Sequence, residues 1–381
     1  MKEILHEYSR SSLPYTVLVP SARYGLYALA KLLLRPGDVV ALSPLTCRTV
    51  VHSFLRAGVR PCFLDVEAES GNLDVECLAL RRLERVRAIV TTNLYGNPDR
   101  TPEIRRIARD RGWLLIEDCA HVLRTGIGGR WIGTMGDAAV FSFRKYFGVT
   151  GGVVATADAR MGEEVTKLVA AECTRPAGMR DTGKRLQYWL ELHAPERVAR
   201  VAGRWGRCVS RIAAPRGAAP ETGVSVGDGD PRFFALPDSA SILRAAASLR
   251  TLPRLVEERA RQAQTLLDRC GLRAGVSSAA DCATYFALPF LTPERDQGLR
   301  RLAEAGVQTN YLYPPLHSVF SEEAAGMPLD EGRVAHWSRH VLPVRLGYRP
   351  EMESRLIACL EGLASDQPSS ELAPVRDCSI F

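Results

Sequence analysis

The sequence predicts an α/β protein: a mixed, mostly parallel sheet sandwiched by helices, with a smaller α/β domain at the C-terminal end. Three observations predict it. Short apolar strands alternate with helices of about ten residues through the first half, the rhythm of βαβ units. Those strands read as near-continuous apolar runs ("VRAIVTT", "WLLIEDCA"), as strands buried on both faces do. After an irregular middle, strand and helix signals return towards the C-terminus.

The elements follow in order. "YTVLVP" is strand-like, and "SARYGLYALAKLLLRPGD" is a helix stopped by Pro36-Gly37. "VVALSP" is a strand, and "TCRTVVHSFLRAG" a helix ending at Gly58. "RPCFLDV" is a strand and "DVECLALRRLE" a helix. "VRAIVTTNLYG" is a buried strand, "TPEIRRIARDRG" a helix with a Thr cap, and "WLLIEDCA" another buried strand. Residues 172–232 break the rhythm: they are rich in Arg, Ala, Gly and Pro, and "APRGAAPETGVSVGDGDP" reads as a loop. One long helix is expected over about 238–271, then a strand in "TYFALPFL", a helix in "PERDQGLRRLAEAG" and a last helix near 350–363. The expected division is a large domain over 1–240 carrying an insertion at about 172–232, a small domain over 241–365 with its linking helix, and a polar tail over 366–381.

Composition excludes several classes. Of 381 residues, 46% are hydrophobic and 24% charged, enough for a large core and ordinary for a soluble globular chain. "MKEILHEYSR" has no apolar h-region, and "YGLYALAKLLL" is too short for a membrane span. Ten cysteines occur singly with no CxxC, which argues against a zinc site or disulfide framework and suits a cytoplasmic location. No metal ligand set is expected. The terminal "CSIF" matches a prenylation pattern only formally.

Lysine use is the sharper signal. Only five of 50 basic residues are lysines: Lys2, Lys31, Lys145, Lys167 and Lys184. Lys145 stands beside Arg144, between "AAVFSF" and "GGVVAT". A guanidinium stays protonated, whereas an amine can lose its proton and attack a carbonyl. In open α/β sheets ligands bind beyond the carboxyl ends of strands. The residues predicted there are Ser21, Thr46, Asn93, Asp118 and Ser142. "PSARYGL" opens a helix straight after a strand, so its first N–H groups make a natural phosphate site. Asp118 ends a buried strand with His121 three residues on, and a carboxylate there can hold a protonated ring nitrogen.

The ordered set "LLRPGDVVALSPLTCRTVVHSFLRAGVRPCFLDV", "NLYGNPD", "LLIEDCAHVLRTGIGGRWIGTMGDAAVFSFRK", "GGVVAT" and "AGVQTNYLYPPLH" resembles the DegT/DnrJ/EryC1/StrS sugar aminotransferases. These are fold-type I transferases dependent on pyridoxal 5'-phosphate. The resemblance covers about residues 15–170 and 235–363. It implies that Lys145 is the Schiff-base lysine and that Asp118 pairs with the pyridinium nitrogen. His121 would sit near the ring and its 3-oxygen. Ser21, Ala22, Arg23 and Ser142 would hold the phosphate, with Cys47 beside the ring. Asn93, Tyr313 and His317 would line the substrate side.

Four departures accompany the resemblance. Ser142 and Lys145 are three apart, as in a subgroup reading S-x-x-K, where many members have five. Cys47 replaces a ring-stacking aromatic. The phosphate loop is Ser-Ala-Arg where Ser-Gly-Thr is usual. "PRFFALPDSAS" lacks the Asn that most members lend to a neighbouring subunit's phosphate, leaving Arg232 or Ser239 as substitutes. Lysine at 145, with no histidine at 144 or 146, favours transamination over the dehydration run by histidine-bearing relatives.

The resemblance therefore implies a homodimeric aminotransferase moving an amino group from an amino acid, glutamate first, to a nucleotide-linked keto-sugar. A cyclitol or another natural-product ketone is the alternative acceptor. A pyridoxal phosphate-binding regulator without turnover is the alternative class. One further feature stands apart. Residues 184–216 hold eight basic and two acidic side chains, and Arg197, Arg200, Arg204, Arg207 and Arg211 form one helical stripe. The stripe reads as a solvated helix face, a contact for an anionic membrane surface or lipid-linked sugar, or an attractor of a nucleotide or carrier-linked substrate. No nucleic-acid-binding motif is present.

Overall fold

The computed structural model describes residues 13–365 except 82, 84, 176–230, 278–279, 308–311, 326–328 and 349. The Arg197–Arg211 stripe, the tail and the terminal "CSIF" lie outside the described residues.

The large domain is a seven-stranded sheet. In chain order its elements are β1 (Tyr15–Val19), α1 (Ala22–Leu33), β2 (Val39–Leu42), α2 (Arg48–Arg56), β3 (Arg60–Phe63), α3 (Val75–Leu80), β4 (Val86–Thr91), α4 (Thr101–Asp110) and β5 (Leu114–Cys119). A short hairpin follows, β6 (Gly126–Ile127) and β7 (Arg130–Trp131), then β8 (Ala138–Ser142), α5 (Phe143–Phe147), β9 (Gly152–Thr156) and α6 (Ala159–Glu172). The sheet order is β1-β9-β8-β5-β4-β2-β3. Strands β3, β2, β4, β5 and β8 pair in parallel, and β9 runs antiparallel to both its neighbours. All five residues of β8 and of β9 are buried, which explains their unbroken apolar runs. One core packs α1 and α2 on one face (Tyr24, Leu29, Val51, Phe54 with Val140 and Val154). On the other face, Ile104 and Ile107 of α4 pack with Val39, Ile89 and Leu115.

The smaller domain holds α7 (Ser239–Arg250), α8 (Leu252–Arg269), β10 (Arg273–Ala274), β11 (Ala280–Cys282), β12 (Ala287–Leu291), α9 (Arg295–Glu304), α10 (Leu316–Val319), α11 (Glu331–His340), β13 (Val341–Arg345) and α12 (Glu353–Ser365). Strands β10, β12 and β13 form an antiparallel sheet, while β11 joins the hairpin of the large domain through β6.

Two local expectations change. The long helix over 238–271 is two helices that break at Thr251, because Pro253 cannot donate a backbone hydrogen bond and starts a new helix instead. Ala245, Leu249 and Leu252 pack in the large-domain core with Phe141 and Phe143. A second core starts at Ala263, so α7 reaches out of the smaller domain to pack on the large-domain core. Thr101 does not cap α4: it is the first helical residue, and its hydroxyl donates to the Asp99 carbonyl at 3.2 Å.

The two domains meet in one apolar seam. Leu45, Leu94 and Tyr95 of the large domain pack with Phe286, Val334 and Trp337 of the small one, and Tyr146 and Tyr313 flank them. The Phe286 N–H donates to the Tyr95 carbonyl at 2.7 Å. This seam runs beneath the ends of β4, β5 and β8 and builds the site.

Candidate active site

The site begins where three strands end side by side. Gly152 opens β9 and lies opposite both Val19, the last residue of β1, and Ser142, the last of β8. Ser21 caps α1, its Oγ accepting from the Tyr24 N–H at 3.3 Å. A Cβ on Gly152 would stand 2.8 Å from the Ala22 nitrogen and 2.6 Å from the Phe141 carbonyl oxygen. Only glycine lets β9 pass this close, and that passage sets Ser142 beside the start of α1. The first-turn N–H groups of Ala22 and Arg23 have no acceptor within their own helix. The helix dipole adds positive potential there. Ser21, Ala22, Arg23 and Ser142, the residues expected to hold a phosphate, are thereby brought together as a candidate anion cradle.

Lys145 lies one turn beyond Ser142, on α5. Gly148 ends that turn with φ 67° and Gly151 leaves it with φ 118°, both in the left-handed region that favours glycine. The Lys145 Nζ stands 5.5 Å from the centroid of the Phe286 ring. Its amine is held below the ordinary lysine range, first by burial and then by the Arg144 and Arg345 charges; Cys47 and Asp118 pull the other way. The Arg144 charge contributes, but burial is the larger cause.

Asp118 is buried at the end of β5, and its Oδ1 accepts from the Ala120 N–H at 2.9 Å. Burial raises its carboxyl to about 6, against the Ala120 hydrogen bond and the Lys145 charge, which lower it. A cation brought to this carboxylate would meet a charge that the protein itself leaves largely uncompensated.

His121 has a determined protonation state. The Tyr95 N–H donates to its Nδ1 at 3.2 Å, so the ring proton must sit on Nε2 and donate to Tyr313 Oη at 3.0 Å. Burial, then Lys145, holds its pKa well below the usual range, so the ring is neutral. The ring lies nearly parallel to Phe286, 5.0 Å between centroids and 6° between planes. The hydrogen bond to His121 helps hold Tyr95 in a left-handed conformation at φ 60°.

The other expected residues divide. Tyr313 joins the site through His121. Cys47, half-buried, precedes α2 and bonds through Sγ to Thr49 Oγ1 at 3.0 Å. His317 sits on α10, which docks on the large domain by the Leu316 N–H to the Pro44 carbonyl at 2.9 Å, near Thr46 and Cys47. Asn93, expected on the substrate side, lies under Asp118 in this structure. It is fully buried; its Nδ2 donates to the Asp118 carbonyl at 3.1 Å, and its Oδ1 accepts from the Asp99 N–H at 3.1 Å. Both ends of the amide are engaged in fixing the backbone under Asp118. Two contributors escaped sequence reading: Phe286, against which both Lys145 and His121 lie, and Arg345 at the end of β13.

Residues 7–194 match the model of the DegT/DnrJ/EryC1/StrS aminotransferase family. The chain belongs to this family. Over 315 residues it is 25% identical to the dTDP-4-dehydro-2,3,6-trideoxy-D-glucose 4-aminotransferase of Saccharopolyspora spinosa, covering 80% of this chain and 72% of that one. Over 147 residues it is 33% identical to the UDP-N-acetyl-3-dehydro-alpha-D-glucosamine 3-aminotransferase of Acidithiobacillus ferrooxidans, covering 38% of this chain and 40% of that one. A Methanocaldococcus jannaschii protein of no described activity is 30% identical over 192 residues, 49% of each chain. The chain thus spans about half or less of the length of two of these three relatives. The fold matches the crystal structure of the aminotransferase TlmJ from Streptoalloteichus hindustanus with a TM-score of 0.69 and 23% identity, covering 96% of this chain and 90% of that one.

The residues fit the family's cofactor, pyridoxal phosphate. The cradle at α1 and Ser142 suits its phosphate, Asp118 its ring nitrogen, and Lys145 its carbonyl carbon. The close approach of Gly152 to the Ala22 nitrogen is the feature that tests the fit, because it brings the start of α1 and the end of β8 together. Among the described residues there is no group of three metal-ligating side chains, and no helix is long and apolar enough to cross a membrane.

Proposed function

We propose that the protein is a pyridoxal phosphate-dependent aminotransferase that moves an amino group from an amino acid, glutamate first, to a nucleotide-linked keto-sugar. One observation carries the reading: a buried lysine amine, held below its ordinary pKa, near a buried carboxylate and three residues past Ser142, where the end of β8 meets the start of α1. The nucleotide-sugar acceptor rests on the named activities of the relatives.

The cofactor, when bound, supplies the electron sink for the carbon that loses its proton. Ser21, Ala22, Arg23 and Ser142 would hold its phosphate. Asp118 would keep a proton on its ring nitrogen, and the burial that penalises the lone carboxylate would strengthen that ion pair. Lys145 would anchor the carbonyl carbon; once released, its Nζ is the base that takes the proton from the substrate carbon. Burial holds the Lys145 amine below its ordinary range, the direction that task requires. His121 cannot be the base through Nδ1, which already accepts the Tyr95 N–H hydrogen bond. It positions Tyr313 and presents a flat neutral ring near Lys145.

The working form in this reading is a homodimer, with Arg232 or Ser239 as the residues that could replace the missing Asn at a neighbouring phosphate; light scattering on the purified protein reads the dimer directly. All eight described cysteines are free thiols, which fits work in a reducing cytoplasm. The test of the activity is the visible absorption of the protein with pyridoxal phosphate, before and after glutamate. Wild type should show a lysine-bound band that glutamate bleaches, with borohydride fixing the cofactor's mass on the peptide carrying Lys145. Lys145→Ala should show neither. A lysine-bound band that no amino donor changes would instead make the protein a non-catalytic cofactor binder.

A further inference from the structure

We infer that Tyr146 is a positioning residue for Lys145: its side chain latches the turn that carries the lysine to the smaller domain, an inference that rests on the aminotransferase reading. The two residues are neighbours on α5, a helix of five residues. So short a turn has little backbone bonding of its own, and Gly148 and Gly151 leave it through left-handed conformations. Side chains must therefore hold it. Phe143 anchors one end in the large-domain core, and Tyr146 anchors the other in the seam between the domains. The Tyr146 hydroxyl donates to the His121 carbonyl at 2.6 Å and reaches the Thr284 carbonyl at 3.2 Å. Its ring stands edge-on to Phe286, 5.8 Å between centroids, and the Arg259 guanidinium lies 4.9 Å over it. Arg259 is fixed in turn by donating through Nη1 to the carbonyls of Tyr285 at 3.2 Å and Phe286 at 3.3 Å.

The two acceptors are brought together by a glycine. Gly96 has φ 85°, and a Cβ there would stand 2.8 Å from the His121 oxygen and 2.9 Å from both the Thr284 oxygen and the Phe286 nitrogen. Its bare backbone lets the two carbonyls close on one hydroxyl. One carbonyl belongs to the residue that stacks on Phe286, the other to the segment leading from β11 into β12. Burial pushes the Tyr146 phenol up, so it stays a donor at any working pH. Apart from the His121 carbonyl, each of these contacts comes from Arg259 or from residues 284–286, so the smaller domain grips the neighbour of Lys145. Lys145 itself reaches the same Phe286 ring, at 5.5 Å. Loosening the turn lets water reach the amine, and burial is the largest cause holding that amine below its ordinary range. The titratable and charged groups that face it are Arg144 on α5, Arg345 on β13, Cys47 before α2 and Asp118 on β5, and a change at Tyr146 keeps them all.

The test compares wild type with three variants. Tyr146→Phe loses only the hydroxyl, Gly96→Ala pushes its acceptors apart, and Ile104→Val is a packing change in the α4 core away from the seam. Cofactor-free protein is mixed with pyridoxal phosphate at a series of pH values and quenched with borohydride, and the rate at which the Lys145 peptide gains the cofactor's mass is read. The midpoint of that profile should move up by about one unit in Tyr146→Phe, the tenfold equivalent of one buried hydrogen bond, and stay unmoved in Ile104→Val. Gly96→Ala should share the upward shift. In the loaded enzyme, Tyr146→Phe should lower kcat for glutamate about tenfold while KM stays within about threefold. A midpoint unmoved in Tyr146→Phe, an equal shift in Ile104→Val, or a loss confined to KM would overturn the inference alone. A wild type that never takes the cofactor on Lys145 would overturn the aminotransferase reading and the inference with it.

Discussion

Asp118 makes a prediction that separates stability from function. The carboxyl is buried and raised from 3.8 to about 6, with burial the largest cause. Its native pKa exceeds its unfolded one, so between about pH 4 and 6 the native state holds more protons than the unfolded state. Stability therefore falls as pH rises through that window and then levels. About two units at 1.36 kcal/mol each give a penalty of about 3 kcal/mol at neutral pH. Asp118→Asn removes the titration and keeps the shape. In the cofactor-free protein, the stability of the variant relative to wild type should rise by about 2 kcal/mol between pH 4.5 and 7.5, in the variant's favour, since about 1 kcal/mol of the penalty is already present at pH 4.5. Urea unfolding at both pH values reads it, and carboxylates common to the two proteins cancel. In a Lys145→Ala background the gap should widen, because the neighbouring cation that lowers the Asp118 pKa is gone. The same substitution should abolish the half-reaction with glutamate in the loaded enzyme. A gap unchanged with pH would refute the claim that Asp118 is held at a thermodynamic cost.

Two further substitutions test the framework around the site. Gly152→Ala places a Cβ against three backbone atoms, those of Phe141, Ala22 and Ser21, none of which can swing aside. It should cost about 1–3 kcal/mol of stability and weaken pyridoxal phosphate binding more than it weakens binding of phosphate-free pyridoxal; equal weakening of both would detach Gly152 from the cradle. Glu117, fully buried beside Asp118, accepts N–H bonds from Gly133 at 2.7 Å, Met135 at 2.7 Å and Gly136 at 2.6 Å. Glu117→Ala should cost about 3–6 kcal/mol, since three buried donors lose their acceptor. Glu117→Gln should cost less, because one oxygen can still serve Met135 and Gly136; a loss under about 1 kcal/mol in the Ala variant would refute the staple.

The parts of this molecule that were legible in the sequence are those set by local pattern. Continuous apolar runs gave away β4, β5 and β8 because both faces of a parallel sheet are covered, and the predicted loop positions Ser21, Asp118 and Ser142 all lie at strand ends. Boundaries set by a single backbone property were less visible. The predicted helix over 238–271 carries an amphipathic pattern through Thr251, so only the missing N–H of Pro253 marks the break. The hydrogen bonds of Asn93 were hidden for a related reason: a polar residue at the end of a buried strand has the look of a ligand group. Only the fold shows that both ends of its amide are taken by Asp99 and Asp118.

Arg345 shows where pattern reading stops and why. The rule that ligands gather beyond strand ends holds for parallel sheets, and β13 pairs antiparallel with β12 in a separate sheet. In a chain this rich in arginine, one more at a strand end carries no signal. Its meaning comes from a contact between residues 200 positions apart along the chain, Lys145 and Arg345, through a third, Phe286. The same logic applies to the ring itself. Phe286 follows a short bridge between domains and reads as core, which it is; it is fully buried. Yet by packing on Tyr95 through a 2.7 Å backbone bond and lying parallel to His121, it joins the two domains at the one point where their cations meet. A core residue thereby sets the geometry of charge in the site, and that arrangement, more than any motif, is what the pH profile of Lys145 interrogates.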